Sequence, residues 1–131
     1  MIGVDTNVLV RLLTADDEEQ HRIALKFFEA RSQESPAFVS AVTLAETIWV
    51  LRRSYGFSAD DVLSNLSAIL DSDDFVVESR QAVQMVRDGQ GNAPQLVDFI
   101  IAQLGLRAGC ARTVTFDRSA ARAIPSMELL A

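Results

Sequence analysis

The sequence has one cysteine, Cys110, and one histidine, His21, among 131 residues. A lone cysteine excludes an intramolecular disulfide, and two soft ligands are too few for a zinc site. No apolar run is long enough to span a bilayer. Met1 leads straight into Ile2-Gly3-Val4 and then Asp5, without a basic segment, a long apolar stretch or a small-residue cleavage site. A secretory leader is therefore not expected, and a cytoplasmic location is. Internal repeats, low-complexity segments and linkers rich in Gly, Pro or Ser are also missing. With 49% apolar residues, the chain is expected to form a single domain over residues 1–131 with a core of its own.

Several catalytic signatures are absent too. There is no G-x-S-x-G, which removes the serine-hydrolase reading. Gly89-Gln90-Gly91 lacks the further glycine and the Lys-Ser/Thr pair of a phosphate-binding loop and reads as a turn. A phosphatase with an aspartyl nucleophile would want a second aspartate where Asn7 stands, and Lys26, beside Phe27 and Phe28, is poorly placed for a phospho-receiver. His21, between Gln20 and Arg22 in an acidic helix, reads as a surface residue.

What is present alternates between two periods. Ile2–Val4 is a short apolar strand, followed at helical spacing by Val8, Leu9, Leu12 and Leu13. Residues 16–31 open acidic and then place Ile23, Ala24, Phe27 and Phe28 on one helix face. Pro36 breaks that helix and begins a strand over 37–39. Ser40 caps a helix running to about Tyr55, with stripe Leu44, Ile48, Leu51 and Tyr55 and a stop at Gly56. Ser58 caps another helix, carrying Val62, Leu66, Ile69 and Leu70, before the strand Phe75-Val76-Val77. Helices over 81–87 and 95–107, a strand over 113–116, a short helix over 119–123 and a strand over 127–130 complete the pattern. Strands alternating with helices predict an α/β fold, a three-layer α/β/α sandwich around a parallel sheet of four to five short strands. Such sheets bind ligands at the C-terminal ends of their strands.

Four carboxylates stand out against this frame. Asp5 follows the first strand and Asp117 the strand over 113–116, so both fall at the edge where the site belongs. Glu46 lies off its helix's stripe, and Trp49 and Val50 stand where a helical ion-pair partner would be. Asp98 is surrounded by Leu96, Val97, Phe99, Ile100 and Ile101, where an unpaired carboxylate is costly. Taken singly, Asp5 and Asp117 also read as helix N-caps, Glu46 as a partly exposed helix acid and Asp98 as part of a polar stripe. Taken together, they read as one shared cation site. Magnesium is a hard ion held by a few carboxylates and by substrate phosphate oxygens, and it needs neither His nor Cys.

These residues resemble the PIN-domain nucleases, and within them the VapC toxins of bacterial toxin-antitoxin pairs. The resemblance covers nearly the whole chain. Gly3-Val4-Asp5-Thr6-Asn7-Val8-Leu9-Val10 is similar to the family's first strand and site. Thr43-Leu44-Ala45-Glu46-Thr47-Ile48-Trp49-Val50-Leu51 resembles its glutamate helix, Val97-Asp98-Phe99-Ile100-Ile101-Ala102 its aspartate helix, and Thr115-Phe116-Asp117-Arg118 its last acidic element. The resemblance implies catalytic and metal roles for Asp5, Glu46, Asp98 and Asp117, with Asp5 and Asp98 the principal ligands of Mg2+, or of Mn2+ in its place. It implies support from Thr6, Asn7 and Thr115, cleavage of RNA, a homodimer and a protein antitoxin that blocks the site. Phe99 departs from the family's habit of a small residue after the aspartate, which bears on pocket shape.

The net charge of −6 argues against simple electrostatic adhesion to RNA. Setting aside the four site acids leaves fourteen acidic against twelve basic residues, so two thirds of the net charge belongs to the expected cation pocket. Eleven of the basic residues are arginines, which suit bidentate phosphate contacts; Arg11, Arg52, Arg53, Arg112 and Arg118 are the candidates. Ile48, Trp49, Leu51 and Tyr55, with Phe57 after them, offer large apolar groups either to a groove for an antitoxin helix or simply to the core. The rival to a nuclease is an acidic α/β interaction module that binds RNA or protein without cutting. A thermal response to Mg2+ or Mn2+ separates the two.

Overall fold

In the computed structural model, which describes residues 1–130, short parallel strands alternate with seven α-helices. The chain divides into two compact units, with the boundary after Glu78. The first unit comprises β1 (Ile2–Gly3), α1 (Thr6–Leu13), α2 (Glu18–Glu29), β2 (Ala37–Val39), α3 (Ala41–Arg53), α4 (Ala59–Leu70) and β3 (Phe75–Val77). Its strands form a parallel sheet in the order β1-β2-β3, with Ile2 opposite Ala37 and Phe38 opposite Val76. Parallel strands need helical crossovers, and the intervening helices supply them.

Local chemistry fixes where those helices begin. Ser40 Oγ accepts from the Thr43 amide at 3.1 Å, and Ser58 Oγ from the Asp61 amide at 3.0 Å, each satisfying a helix-end donor that would otherwise have no partner. Asp17, rather than Asp16, caps α2 by accepting from the Gln20 amide at 2.9 Å. Gly56 turns the chain after α3 at a φ of 67°, a conformation glycine adopts without strain. The core gathers Leu9, Val39, Leu44, Leu51, Val62 and Leu66, all essentially inaccessible to solvent. Phe28 stacks on Phe75 at 5.3 Å between centroids, tying α2 to β3.

The second unit comprises α5 (Arg80–Arg87), a 3-10 turn at Ala93–Gln95, α6 (Leu96–Arg107), β4 (Thr113–Thr115), α7 (Arg118–Ala123) and β5 (Met127–Leu129). β4 and β5 pair in parallel, with Thr113 opposite Met127. Val83, Leu96, Ile100, Ala120 and Ile124 fill the unit's interior. Two glycines let its pieces approach closely. A Cβ at Gly91 would lie 2.3 Å from the Phe99 ring, and one at Gly105 would lie 2.7 Å from Thr113 Oγ1.

The α/β class and the five parallel strands agree with the sequence pattern, but the hydrogen bonding groups the strands as a sheet of three and a sheet of two. α2 is shorter than the periodic run because Asp17 caps it. Ile23, expected on its buried face, is 54% exposed. α3 ends at Arg53 rather than Tyr55, and β4 ends at Thr115, leaving Phe116 73% exposed. Among the described residues, no helix is long and apolar enough to cross a membrane.

Candidate active site

In the first unit, Asp5 leaves the C-terminal end of β1 and caps α1, its Oδ1 accepting from the Thr6 amide at 2.8 Å. The buried Thr6 turns its hydroxyl to α3 and donates to Glu46 Oε1 at 3.1 Å. Asp5 and Glu46 are both solvent-facing, and with Thr6, Asn7, Arg11 and Tyr55 they line a cleft of about 420 Å³. Among the described residues, neither acid is in an ion pair. Arg11 lines the same cleft but pairs instead with Asp16 at 3.2 Å.

In the second unit, Asp98 sits in the first turn of α6 and is half-buried. Burial pushes its carboxyl above the ordinary aspartate range, and the charge of Asp117 pushes it further the same way. Asp117 leaves the C-terminal end of β4 and caps α7, its Oδ1 accepting from the Ala120 amide at 3.0 Å. Thr115 Oγ1 accepts from the Asp117 amide at 3.0 Å and so fixes the turn. Each unit thus carries one acid just after a strand, Asp5 or Asp117, and one on a helix, Glu46 or Asp98. Within either unit, no three described His, Cys, Asp or Glu side chains gather as an ion-holding group.

The capping reading of Asp5 and Asp117 therefore holds geometrically, and each cap leaves the second carboxylate oxygen free of it. The donors are carboxylate and hydroxyl oxygens, which suit a hard divalent ion. Neither soft side chain joins a described group of three His, Cys, Asp or Glu with these acids, and His21 Nδ1 bonds the Arg11 carbonyl oxygen at 2.7 Å. The raised Asp98 carboxyl beside Asp117 has the electrostatics of acids waiting for a counter-charge. The donor types are those a magnesium-like ion takes.

The arginines differ in their freedom. Arg52, Arg53 and Arg118 are exposed, whereas Arg112 Nε bonds Glu128 Oε2 at 2.9 Å. The apolar groups of α3 split between two environments. Ile48 and Leu51 are core, Tyr55 and Phe57 are half-buried with their rings edge to face, and Trp49 is 56% exposed. Sequence pattern placed Tyr55 on the apolar stripe and missed that its hydroxyl bonds Arg11 and Asp16. Asp16 and Gln20, the other partners of Arg11, carried no signal beyond their position on an acidic helix start.

The model of the PIN domain matches residues 2–124, across both units. The chain belongs to the PIN domain family. It is also similar to a VapC ribonuclease of Aquifex aeolicus (strain VF5), 27% identical over 120 residues, an alignment that covers 88% of this chain and 86% of the relative.

Proposed function

We propose that the protein is a magnesium-dependent endoribonuclease, built as one catalytic domain and acting as the toxin of a toxin-antitoxin pair. The observation that carries this reading is the family match over residues 2–124, within which Asp5 and Asp117 follow β1 and β4, Glu46 lies in the second turn of α3 and Asp98 in the first turn of α6. Asp5, Glu46, Asp98 and Asp117 are the proposed ligands of Mg2+, with Mn2+ able to substitute. When bound, the ion would supply polarisation of a phosphodiester and activation of water.

The chain's own residues do the rest. Thr6 holds Glu46 through its hydroxyl, Asp5 is held by the Thr6 amide, and Thr115 fixes the backbone of Asp117. Asn7, exposed in the first turn of α1 and lining the cleft, would donate to a phosphate oxygen or a ribose hydroxyl. Arg52, Arg53, Arg112 and Arg118 are proposed to hold the RNA backbone, whereas Arg11, the fifth candidate, is engaged by Asp16, Tyr55 and Gln20. The similarity to a VapC ribonuclease supports RNA as the substrate; a protein antitoxin as the partner, a homodimer and a cytoplasmic setting are proposed along with the toxin role. The exposed Trp49 offers the antitoxin an apolar anchor.

The test is cleavage of total RNA by the purified protein. Cutting that needs Mg2+ or Mn2+, stops with chelator and is lost in Asp5→Asn and Asp98→Asn is the expected result. Undiminished cutting by either variant would refute the assignment. Absence of any thermal stabilisation by the metals, together with no cutting, would favour the interaction module.

A further inference from the structure

Arg11 lines the cleft that holds Asp5 and Glu46, yet it bonds neither. Its Nε donates to Gln20 Oε1 at 2.7 Å, and its Nη1 donates to Tyr55 Oη at 2.9 Å and to Asp16 Oδ1 at 3.2 Å. The Tyr55 hydroxyl donates in turn to Asp16 Oδ2 at 2.7 Å, and Thr14 Oγ1 donates to Asp16 Oδ1 at 3.2 Å. This clasp draws Arg11 from α1, Asp16 from the link after it, Gln20 from α2 and Tyr55 from just beyond α3.

Left free, a long cationic side chain in an acid-lined cleft is drawn to the carboxylates. Guanidinium and carboxylate form a strong bidentate pair. Such a pair would occupy the oxygens a cation needs and cancel the negative potential that attracts it. Here three side chains from separate parts of the chain hold the guanidinium elsewhere, and the Asp16 charge offsets its own.

We propose that Asp16, Tyr55 and Gln20 clasp Arg11 away from Asp5 and Glu46, so that this pair of carboxylates stays open to a divalent cation. The clasp residues are positioning residues, and the inference rests on the metal-dependent reading above. It makes a prediction that general support of the fold does not make. Removing Arg11 should rescue the damage caused by opening the clasp.

The experiment is calorimetric titration of the full-length protein with Mn2+, without RNA. Asp16→Ala and the gentler Tyr55→Phe should each weaken binding roughly tenfold, the factor that about 1.4 kcal/mol represents. Arg11→Met should bind at least as tightly as the wild type, and adding it to either clasp variant should restore wild-type affinity. Double variants that bind more weakly than the single clasp variants would overturn the proposal, as would clasp variants with unchanged affinity. In that last case the wild type still binds Mn2+ and the nuclease reading stands. A wild-type chain that takes up no Mn2+ overturns both.

Discussion

The Thr6 hydroxyl donates to the Glu46 carboxylate at 3.1 Å, joining α1 to α3 across 40 residues of sequence. The donor is buried and the acceptor is exposed, so the bond orients Glu46 more than it stabilises the fold. Thr6→Val keeps the shape and removes the donor, and should cost about 1 kcal/mol of stability. Its effect on RNA cleavage should be larger than its effect on the melting temperature, and Thr6→Ser should restore cleavage. Full activity in Thr6→Val would show that Glu46 does not need this partner.

Gly91 is held to glycine by a neighbour rather than by its backbone. A methyl group there would sit 2.3 Å from Cε2 and Cζ of the buried Phe99 ring, one residue from Asp98. Gly91→Ala should therefore destabilise the protein by about 1–3 kcal/mol, as overpacking does. Chemical denaturation of the variant tests this, and Phe99→Leu in the same chain should recover part of the loss. An unshifted midpoint would mean the loop moves aside at no cost.

Much of this arrangement was legible because short-range chemistry dictated it. The strands at Ala37–Val39 and Phe75–Val77 are short apolar runs in which all but Ala37 are β-branched or aromatic, and Ser40 and Ser58 cap the helices they precede. Among the four acids, Glu46 and Asp98 stood out against the apolar pattern of their helices, and Asp5 and Asp117 by following strands. Contacts between distant elements were not. Asp16 looked like the start of α2 because it opens an acidic run, yet its carboxylate serves Arg11 and Tyr55. Tyr55 looked apolar by spacing, and its hydroxyl decides its role. The split of five strands into three and two was equally hidden, since strand pairing is set by tertiary packing.

The same clasp gives stability a pH dependence of known sign. The Asp16 carboxyl lies below its ordinary value of 3.8, held there first by the Tyr55 hydroxyl and then by Thr14 and Arg11, against its partial desolvation. A lowered folded-state pKa means the folded protein releases this proton more readily than the unfolded chain. The contribution is complete above 3.8 and is lost as pH falls through the lower folded value. Urea midpoints followed through that range should fall more for the wild type than for Asp16→Ala, so the two curves should converge in acid. Parallel curves would rule out the linkage.

Thr47 carries the opposite kind of opportunity. Its side chain is fully buried on α3, and its hydroxyl has no hydrogen-bond partner among the described residues. An unsatisfied buried hydroxyl carries its desolvation cost without return. Thr47→Val replaces it with a methyl group of similar size and should raise stability by about 1 kcal/mol. A lowered melting temperature would indicate that the hydroxyl is satisfied by water in solution.

Asp117 combines two functions that substitution can separate. Its Oδ1 caps α7 through the Ala120 amide, and its charge bears on Asp98. Asn caps a helix about as well as Asp, whereas Ala forfeits about 1 kcal/mol. Asp117→Asn should therefore keep the fold and release part of the pressure on Asp98, whose carboxyl stays raised because burial is the larger cause. Asp117→Ala should lose the cap as well. If Asp117 is only a cap, Asn should cut RNA like the wild type and Ala should lose activity only in step with its stability. If its charge serves a cation, both variants should lose cleavage alike while only Ala melts earlier, and Mn2+ titration should show weakened binding in both. Melting curves and cleavage rates on the two variants therefore decide between a structural carboxylate and a metal ligand at one position.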